Sequence, residues 1–151
     1  MPDDDRFMAL ALKEAEAALE HEDVPIGAVV VAEGQVIGAG HNRREVDSDP
    51  TAHAEILALR QAAAKTGDWR LSEATIFVTL EPCAMCAAAI VQARIRRLVF
   101  AAPDPKAGAV TSLFELCDDE RLNHRVAWQM GTARAPAEQL LSRFFAQRRA
   151  R

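Results

Sequence analysis

Two short segments constrain this chain more than anything else in it. They are His53-Ala54-Glu55 and, after stretches that read as one helix and one strand, Pro82-Cys83-Ala84-Met85-Cys86. A fold that uses both must bring one imidazole and two thiolates to a single point, with a carboxylate beside them. Zinc takes four ligands, and structural sites draw all four from protein; three protein ligands leave a place for water, the arrangement of a catalytic site. Zinc brings the pKa of such a water from about 16 to about 7, so that hydroxide is available at neutral pH. On this reading His53, Cys83 and Cys86 are the ligands, and Glu55 carries protons without touching the metal.

A Cys-x-x-Cys pair alone also serves structural zinc and redox chemistry. A closed structural site needs a second close Cys/His pair. The remaining cysteine, Cys117, stands alone and reads as a thiol in or near a packed helix. A redox pair accounts for neither the His-x-Glu segment nor Pro82.

The chain has 151 residues, half of them hydrophobic, which fits one domain over residues 1–151 with one sizeable core. Three cysteines, two of them committed to metal, argue against a disulfide framework. The start, Met1-Pro2-Asp3-Asp4-Asp5-Arg6, lacks the basic region of a signal peptide, and no apolar run is long enough to span a bilayer. These features predict a cytoplasmic protein with no membrane association. The net charge of −4 is not that of a general nucleic-acid binder. Its distribution qualifies this: acid gathers at Asp3–Asp5, from Glu14 to Asp23 and at Asp118–Glu120, base at Arg94, Arg96 and Arg97 and in a tail with Arg143, Arg148, Arg149 and Arg151. A polyanion can dock on one such face, although a run of charge is as readily a solvated surface.

Apolar residues at helical spacing predict a helix from Arg6 to about His21, ended by Pro25. Ile26 to Ala32 and Gln35 to Gly40 read as antiparallel strands joined by the turn Glu33-Gly34. A polar loop from His41 to Ala52 leads to a helix from His53 to Thr66, stopped by Gly67. Ala74 to Leu80 reads as a strand buried on both faces, and Pro82 opens a helix that runs to Ala93. A strand at Arg97 to Ala101 follows, then a loop with Pro103 and Pro105, a short helical stretch from Thr111 to Cys117, a strand at Arg125 to Gln129 and a last helix from Ala135 to Arg149. This order predicts a three-layer α/β/α sandwich on a five-stranded mixed sheet.

Cys83 and Cys86, three apart at the start of a helix, share a face where unpaired N–H groups favour anionic sulfur. His53 and Glu55 are two apart and point to different sides of a regular helix, so both approach one metal only if His53 sits in an irregular first turn or the metal lies over the helix end. By the likeness of this motif to that of the zinc-dependent nucleobase deaminases, the implied chemistry is attack of hydroxide on a ring carbon bearing an exocyclic amine, with Glu55 moving protons to the ring nitrogen and to the departing ammonia. Asn42, in the loop before the metal helix, can donate and accept toward a ribose or a purine edge; as a plain loop residue it would only make a turn. Backbone N–H groups near Ala54 and in the Pro82–Cys83 turn are candidates to orient the base. Phe144 and Phe145 are adjacent, so one packs inward and the other is available to a partner.

The metal motif resembles that of the zinc-dependent nucleobase deaminases, the cytidine and deoxycytidylate deaminase superfamily. Further segments narrow the likeness: Val24-Pro25-Ile26-Gly27-Ala28-Val29, His41-Asn42-Arg43, Asp49-Pro50-Thr51-Ala52, Asp104-Pro105-Lys106-Ala107-Gly108-Ala109, Asn123-His124 and Leu140-Leu141-Ser142-Arg143-Phe144-Phe145. Together they resemble the bacterial tRNA-specific adenosine deaminases over nearly the whole chain. The resemblance implies a cytidine-deaminase-like fold, one zinc per subunit, and conversion of adenosine to inosine at the wobble position of an anticodon. It implies that Asn42 contacts the extruded nucleoside, that Asp104 and Lys106 meet the anticodon stem-loop, and that Phe144, Phe145 and Arg148 help hold the RNA. It also implies a homodimer. The sequence departs from the family at Ala101-Ala102 and Ala87-Ala88, where Gly-Ala pairs are common, and at Leu19, where an aromatic residue is frequent. A deaminase of a free base or nucleoside, such as guanine or cytosine, would share the metal site and need no basic tail. An RNA-binding protein with a structural zinc would have no use for Glu55.

Overall fold

In the computed structural model, which describes residues 3–150, Glu33 and Gly34 both take positive φ, 53° and 75°. Paired left-handed residues match the twist of a two-residue hairpin, and the turn joins β1 (Gly27–Ala32) to β2 (Gln35–His41). β1 also pairs antiparallel with β3 (Thr75–Leu80), while β3, β4 (Arg97–Ala102) and β5 (Ala127–Met130) are parallel, giving the order β2-β1-β3-β4-β5. Met1, Pro2 and Arg151, the last arginine of the basic tail, lie outside the described residues.

The two faces follow the period of two along the strands. Val30, Ile76, Val78, Leu98 and Phe100 pack under α3 (Ala54–Thr66) and α4 (Ala84–Gln92). Their neighbours Val29, Val31, Phe77, Val99 and Ala101 pack under α1 (Asp4–Ala18) and α5 (Arg134–Arg149). The predicted three-layer sandwich with a five-stranded mixed sheet is therefore what the chain forms. No helix among the described residues is long and apolar enough to cross a membrane.

α3 lies unusually close on β2. A Cβ at Gly38 would stand 2.3 Å from the carbonyl oxygen of Ala58, and one at Gly40 would stand 2.7 Å from that of Ala54. Glycine on the strand and alanine at positions 54, 58 and 62 on the helix remove the side chains that would hold the two apart. This contact fixes where α3 begins, and so where His53 and Glu55 stand.

Several boundaries differ from the sequence expectation. The first helix ends in a 3-10 turn at Leu19–His21 with Glu22 left-handed at φ 56°, so it stops before Pro25 can act. The loop after β2 contains a one-turn helix, α2 (Arg44–Asp47), too short for periodicity to reveal. The expected helical stretch from Thr111 to Cys117 is a series of turns followed by a 3-10 turn at Leu116–Asp118. The physical reason is that the N–H groups of Val110, Thr111 and Ser112 all turn onto one carboxylate oxygen, that of Glu81, while Leu113 and Phe114 are exposed and give a helix no face to bury.

Candidate metal centre and active site

His53 and Cys83 are both the residues just before a helix. His53 has φ −81° and ψ 151° at the start of α3, and Cys83 has φ −73° and ψ 178° at the start of α4. Extended backbone at His53 frees its side chain from the helical spacing, which removes the conflict between His53 and Glu55: the imidazole leaves the chain before the helix begins, and the carboxylate leaves from inside its first turn. Neither capping position makes a side-chain cap bond, because both side chains face each other instead. Helix starts supply positive potential that favours thiolate.

The Nδ1 of His53 lies 3.7 Å from the sulfur of Cys83 and 3.5 Å from that of Cys86. Tetrahedral zinc with ordinary Zn–N and Zn–S bonds requires an N···S separation of about 3.6 Å. All three ligand atoms lie within 4.8 Å of one another. The donor set and its spacing therefore fit a metal of zinc's preference, with Nδ1 as the imidazole donor.

Their neighbours shift the two thiols in opposite directions. The Cys83 thiol is lowered to about 4, first by its hydrogen bond with Cys86 and then by His53, against the opposing effect of burial. The Cys86 thiol is pushed up by that same bond and by burial. His53 is raised, chiefly by Cys83. Glu55 is buried, and desolvation raises its carboxyl to about 7, the range in which a carboxyl can both give and take a proton at neutral pH.

His53, Glu55 and Cys83 line a cavity of about 630 Å³; Cys86 lies behind them, fully buried. Asn42 also lines it and is 3% exposed. Its Oδ1 accepts the backbone N–H of Ala54 at 2.9 Å, and its amide NH2 makes no hydrogen bond among the described residues. Ala54, expected to help orient the base, is fully buried, and its N–H donates to Asn42.

Asp104 and Lys106 reach the cavity from the loop after β4. The Oδ1 of Asp104 accepts the N–H of Lys106 at 3.1 Å and that of Ala107 at 3.3 Å, so part of its acceptor capacity holds the loop. The two adjacent phenylalanines of α5 separate as expected: Phe145 is 44% exposed and lines the cavity, whereas Phe144 is 6% exposed. Phe144 and Arg148 stand away from the cavity. The Arg148 guanidinium sits 5.2 Å over the Phe144 ring and donates to the carbonyl of Glu22. Arg94 and Arg97 are likewise engaged, over Trp69 and with Asp4.

Sequence reasoning missed Arg44, Glu138 and Leu141, all of which line the cavity. Arg44 is aimed by Asp23, whose wholly buried side chain accepts from it at 3.0 Å and from the N–H of Glu45 at 3.0 Å. The available signal was a lone Asp beside Val24-Pro25, at the end of an acidic run that otherwise reads as surface.

A family model described as MafB19-like deaminase matches residues 2–149. A tRNA-specific adenosine deaminase of Streptococcus pyogenes serotype M1 is 46% identical over 145 residues, covering 96% of this chain and 85% of the relative. One from Bacillus subtilis is 44% identical, covering 96% and 90%. A solved structure from studies of A-to-I editing by tRNA:A34 deaminases at the wobble position superposes with a TM-score of 0.87 at 47% identity, over 90% of this chain and 99% of the other. A guanine deaminase from Nitrosomonas europaea superposes with a TM-score of 0.81 at 27% identity, over 93% and 83%. With the ligand geometry, the matched length and the identity in agreement, the chain belongs to the family of tRNA-specific adenosine deaminases.

Proposed function

We propose that this protein hydrolyses adenosine to inosine at the wobble position of a tRNA anticodon, using one zinc per subunit held by His53, Cys83 and Cys86. The observation that carries the proposal is the convergence of His53 Nδ1 and two cysteine sulfurs at tetrahedral spacing, with a buried carboxyl beside them in an open cavity. Bound zinc supplies a Lewis acid that brings the pKa of a water to about 7.

The chain's own residues do the rest. Glu55 takes a proton from the attacking water and delivers it to N1 of adenine as the new C–O bond forms at C6. It then carries the second proton to the exocyclic amine, the C6–N bond breaks, ammonia leaves and C6 becomes a carbonyl. The buried position of Glu55 keeps these transfers out of bulk water. The free NH2 of Asn42 is placed to donate to the nucleoside, and Arg44 and Lys106 offer positive charge to the flanking phosphates. Phe145 gives a surface on which a neighbouring base can stack. Phe144 and Arg148 support that surface from behind rather than meeting RNA in the cavity.

A duplex buries the reactive carbon, so the reaction needs an unpaired or extruded nucleotide, and an anticodon loop supplies one. We read the protein as cytoplasmic, the compartment of its proposed substrate. We read it as a homodimer, with exposed Leu113 and Phe114, beside the Asp104–Lys106 loop, as side chains that a second copy would cover. Sedimentation of the purified protein tests this.

The competing activity is deamination of free guanine or cytosine. Incubating the purified protein with total tRNA, with an anticodon stem-loop and with each free base, then analysing products by mass, separates the two. Inosine in tRNA that disappears with Glu55→Ala supports the proposal. Product from the free bases alone overturns it.

A further inference from the structure

Glu81 takes no part in the chemistry above, yet its carboxylate organises the loop that closes one side of the cavity. It follows β3 and is only 2% exposed. Its Oε2 accepts the N–H groups of Val110 at 3.0 Å, Thr111 at 2.9 Å and Ser112 at 3.0 Å. Its Oε1 accepts the N–H of Asp104 at 3.0 Å and the hydroxyl of Ser112 at 2.5 Å. The loop passes so close that a Cβ at Gly108 would come within 2.3 Å of the carboxyl carbon. Beyond Glu81 the same loop is tied to the metal turn: Ala109 donates to the carbonyl of Pro82 at 2.8 Å, and Gly108 bridges to Cys83.

We propose that Glu81 is a positioning residue for RNA: it fixes the segment carrying Asp104 and Lys106 against the metal turn, and so sets where the chain flanking the reacting nucleotide is gripped. The inference rests on the reading of the protein as an RNA deaminase. Pro105, Lys106 and Ala107 are exposed, so no buried side chain holds this stretch in place. A segment with few apolar contacts opens locally at small cost. Here the opposing tie is a set of N–H groups on a full negative charge, the stronger class of hydrogen bond.

The chemistry of the carboxylate makes the idea separable from simple stability. In Glu81→Gln the amide oxygen can keep the three N–H groups of Val110, Thr111 and Ser112. The amide NH2 then faces the Ser112 hydroxyl and the Asp104 N–H. The hydroxyl can reverse and accept; the N–H cannot. The substitution therefore frees the Asp104 end of the loop while leaving the metal turn tied.

The test compares the zinc-loaded wild type with Glu81→Gln, Lys106→Ala and the double variant on an anticodon stem-loop RNA with one loop adenosine. For each, kcat, KM, zinc content and melting temperature are measured. Glu81→Gln should raise KM about tenfold, the scale of one lost charge-assisted hydrogen bond. It should change kcat less than about twofold and leave zinc content as in the wild type. In the Lys106→Ala background the same change should raise KM less than about threefold, because the grip being positioned is already gone. Ser112→Ala, which keeps the carboxylate and its bond to Asp104, should shift KM less than about twofold. An unchanged KM in Glu81→Gln, a full effect in the Lys106→Ala background, or a fall in kcat accompanied by zinc loss overturns the inference while the deaminase reading stands. A wild type inactive on the stem-loop overturns both.

Discussion

Asn42 caps a helix to which it does not belong. Its Oδ1 takes the N–H of Ala54, the first residue of α3 and twelve residues on, at 2.9 Å, satisfying one of the N–H groups that a helix start leaves without an internal partner. His53, the residue before the helix, has turned its side chain to the cysteines, so the side-chain tie at this helix start comes from the preceding loop. One side chain thus anchors the metal helix with its oxygen and presents its nitrogen to the cavity.

The two ends of Asn42 can be separated. Asn42→Ala should cost about 1–2 kcal/mol of stability, the scale of a lost cap, and should also weaken substrate binding. Asn42→Asp keeps an oxygen for Ala54 and loses the donor, so its melting temperature should return toward the wild type while KM stays raised. If both variants melt alike, the cap is not what Asn42 contributes.

Glu55→Ala should retain zinc and lose deamination by about 10²- to 10⁴-fold, the range of general acid–base contributions. Turnover on stem-loop RNA and metal content, measured on one sample, decide the matter. A metal-replete variant with nearly normal kcat removes Glu55 from the proton path.

Cys83→Ala and Cys86→Ala should lose zinc and stability together, since metal binding is linked to folding. Cys86→Ala carries an added packing cost because that side chain is fully buried. Chelation of the wild type should lower its melting temperature and leave that of either variant unmoved. Full zinc occupancy in a variant shows that the ligand set is different.

The paired phenylalanines of α5 predict opposite phenotypes. Phe144→Ala, at a buried position, should destabilise by about 3–5 kcal/mol. Phe145→Ala should leave the melting temperature near the wild type and weaken stem-loop binding by about 1–3 kcal/mol, the worth of one stacked base. Equal losses of binding in two equally stable proteins contradict this division.

Asp23 gives a pH dependence. Burial pushes its carboxyl up, but the N–H of Glu45, the Arg44 guanidinium and the N–H of Val24 outweigh that and hold it below its ordinary value. A carboxyl lowered in the folded state adds stability that is present above its unfolded pKa and lost as pH falls through the folded one. Asp23→Asn should therefore cost about 1–3 kcal/mol at neutral pH, and the gap to the wild type should narrow below about pH 4. Denaturant midpoints at neutral and acid pH check it; a gap that does not change with pH assigns the cost to shape instead of charge.

The meeting of His53, Cys83 and Cys86 was legible in the sequence because few arrangements other than a zinc site use His-x-Glu with Pro-Cys-x-x-Cys, and the strands were legible because their periodicity is set by burial on two faces. Placement within a turn was not. That His53 and Cys83 precede their helices, rather than open them, depends on backbone angles that residue type does not dictate. Glu81 and Arg44 were missed for a related reason. Each is a charged residue whose partners come from distant segments, loop 104–112 for Glu81 and Asp23 for Arg44, and chain order conceals such meetings. The stretch from Thr111 to Cys117 carries helix-compatible residues, yet the carboxylate of Glu81 prevails over their local preference.

The strand directions have an engineering consequence. What lines the cavity from the sheet comes off one end of its strands: Ile26 ahead of β1, Asn42 after β2, Leu80 at the end of β3 with Glu81 and Cys83 beyond it, and Ala102 at the end of β4 with Pro103 and Asp104 beyond it. The opposite strand ends carry the exposed Glu33-Gly34 turn and the entries to β3 and β4. A tag, a fluorophore or an inserted domain placed at Glu33-Gly34 therefore sits a whole strand length from the chemistry, in a turn whose exposed tip leaves both layers of helices undisturbed.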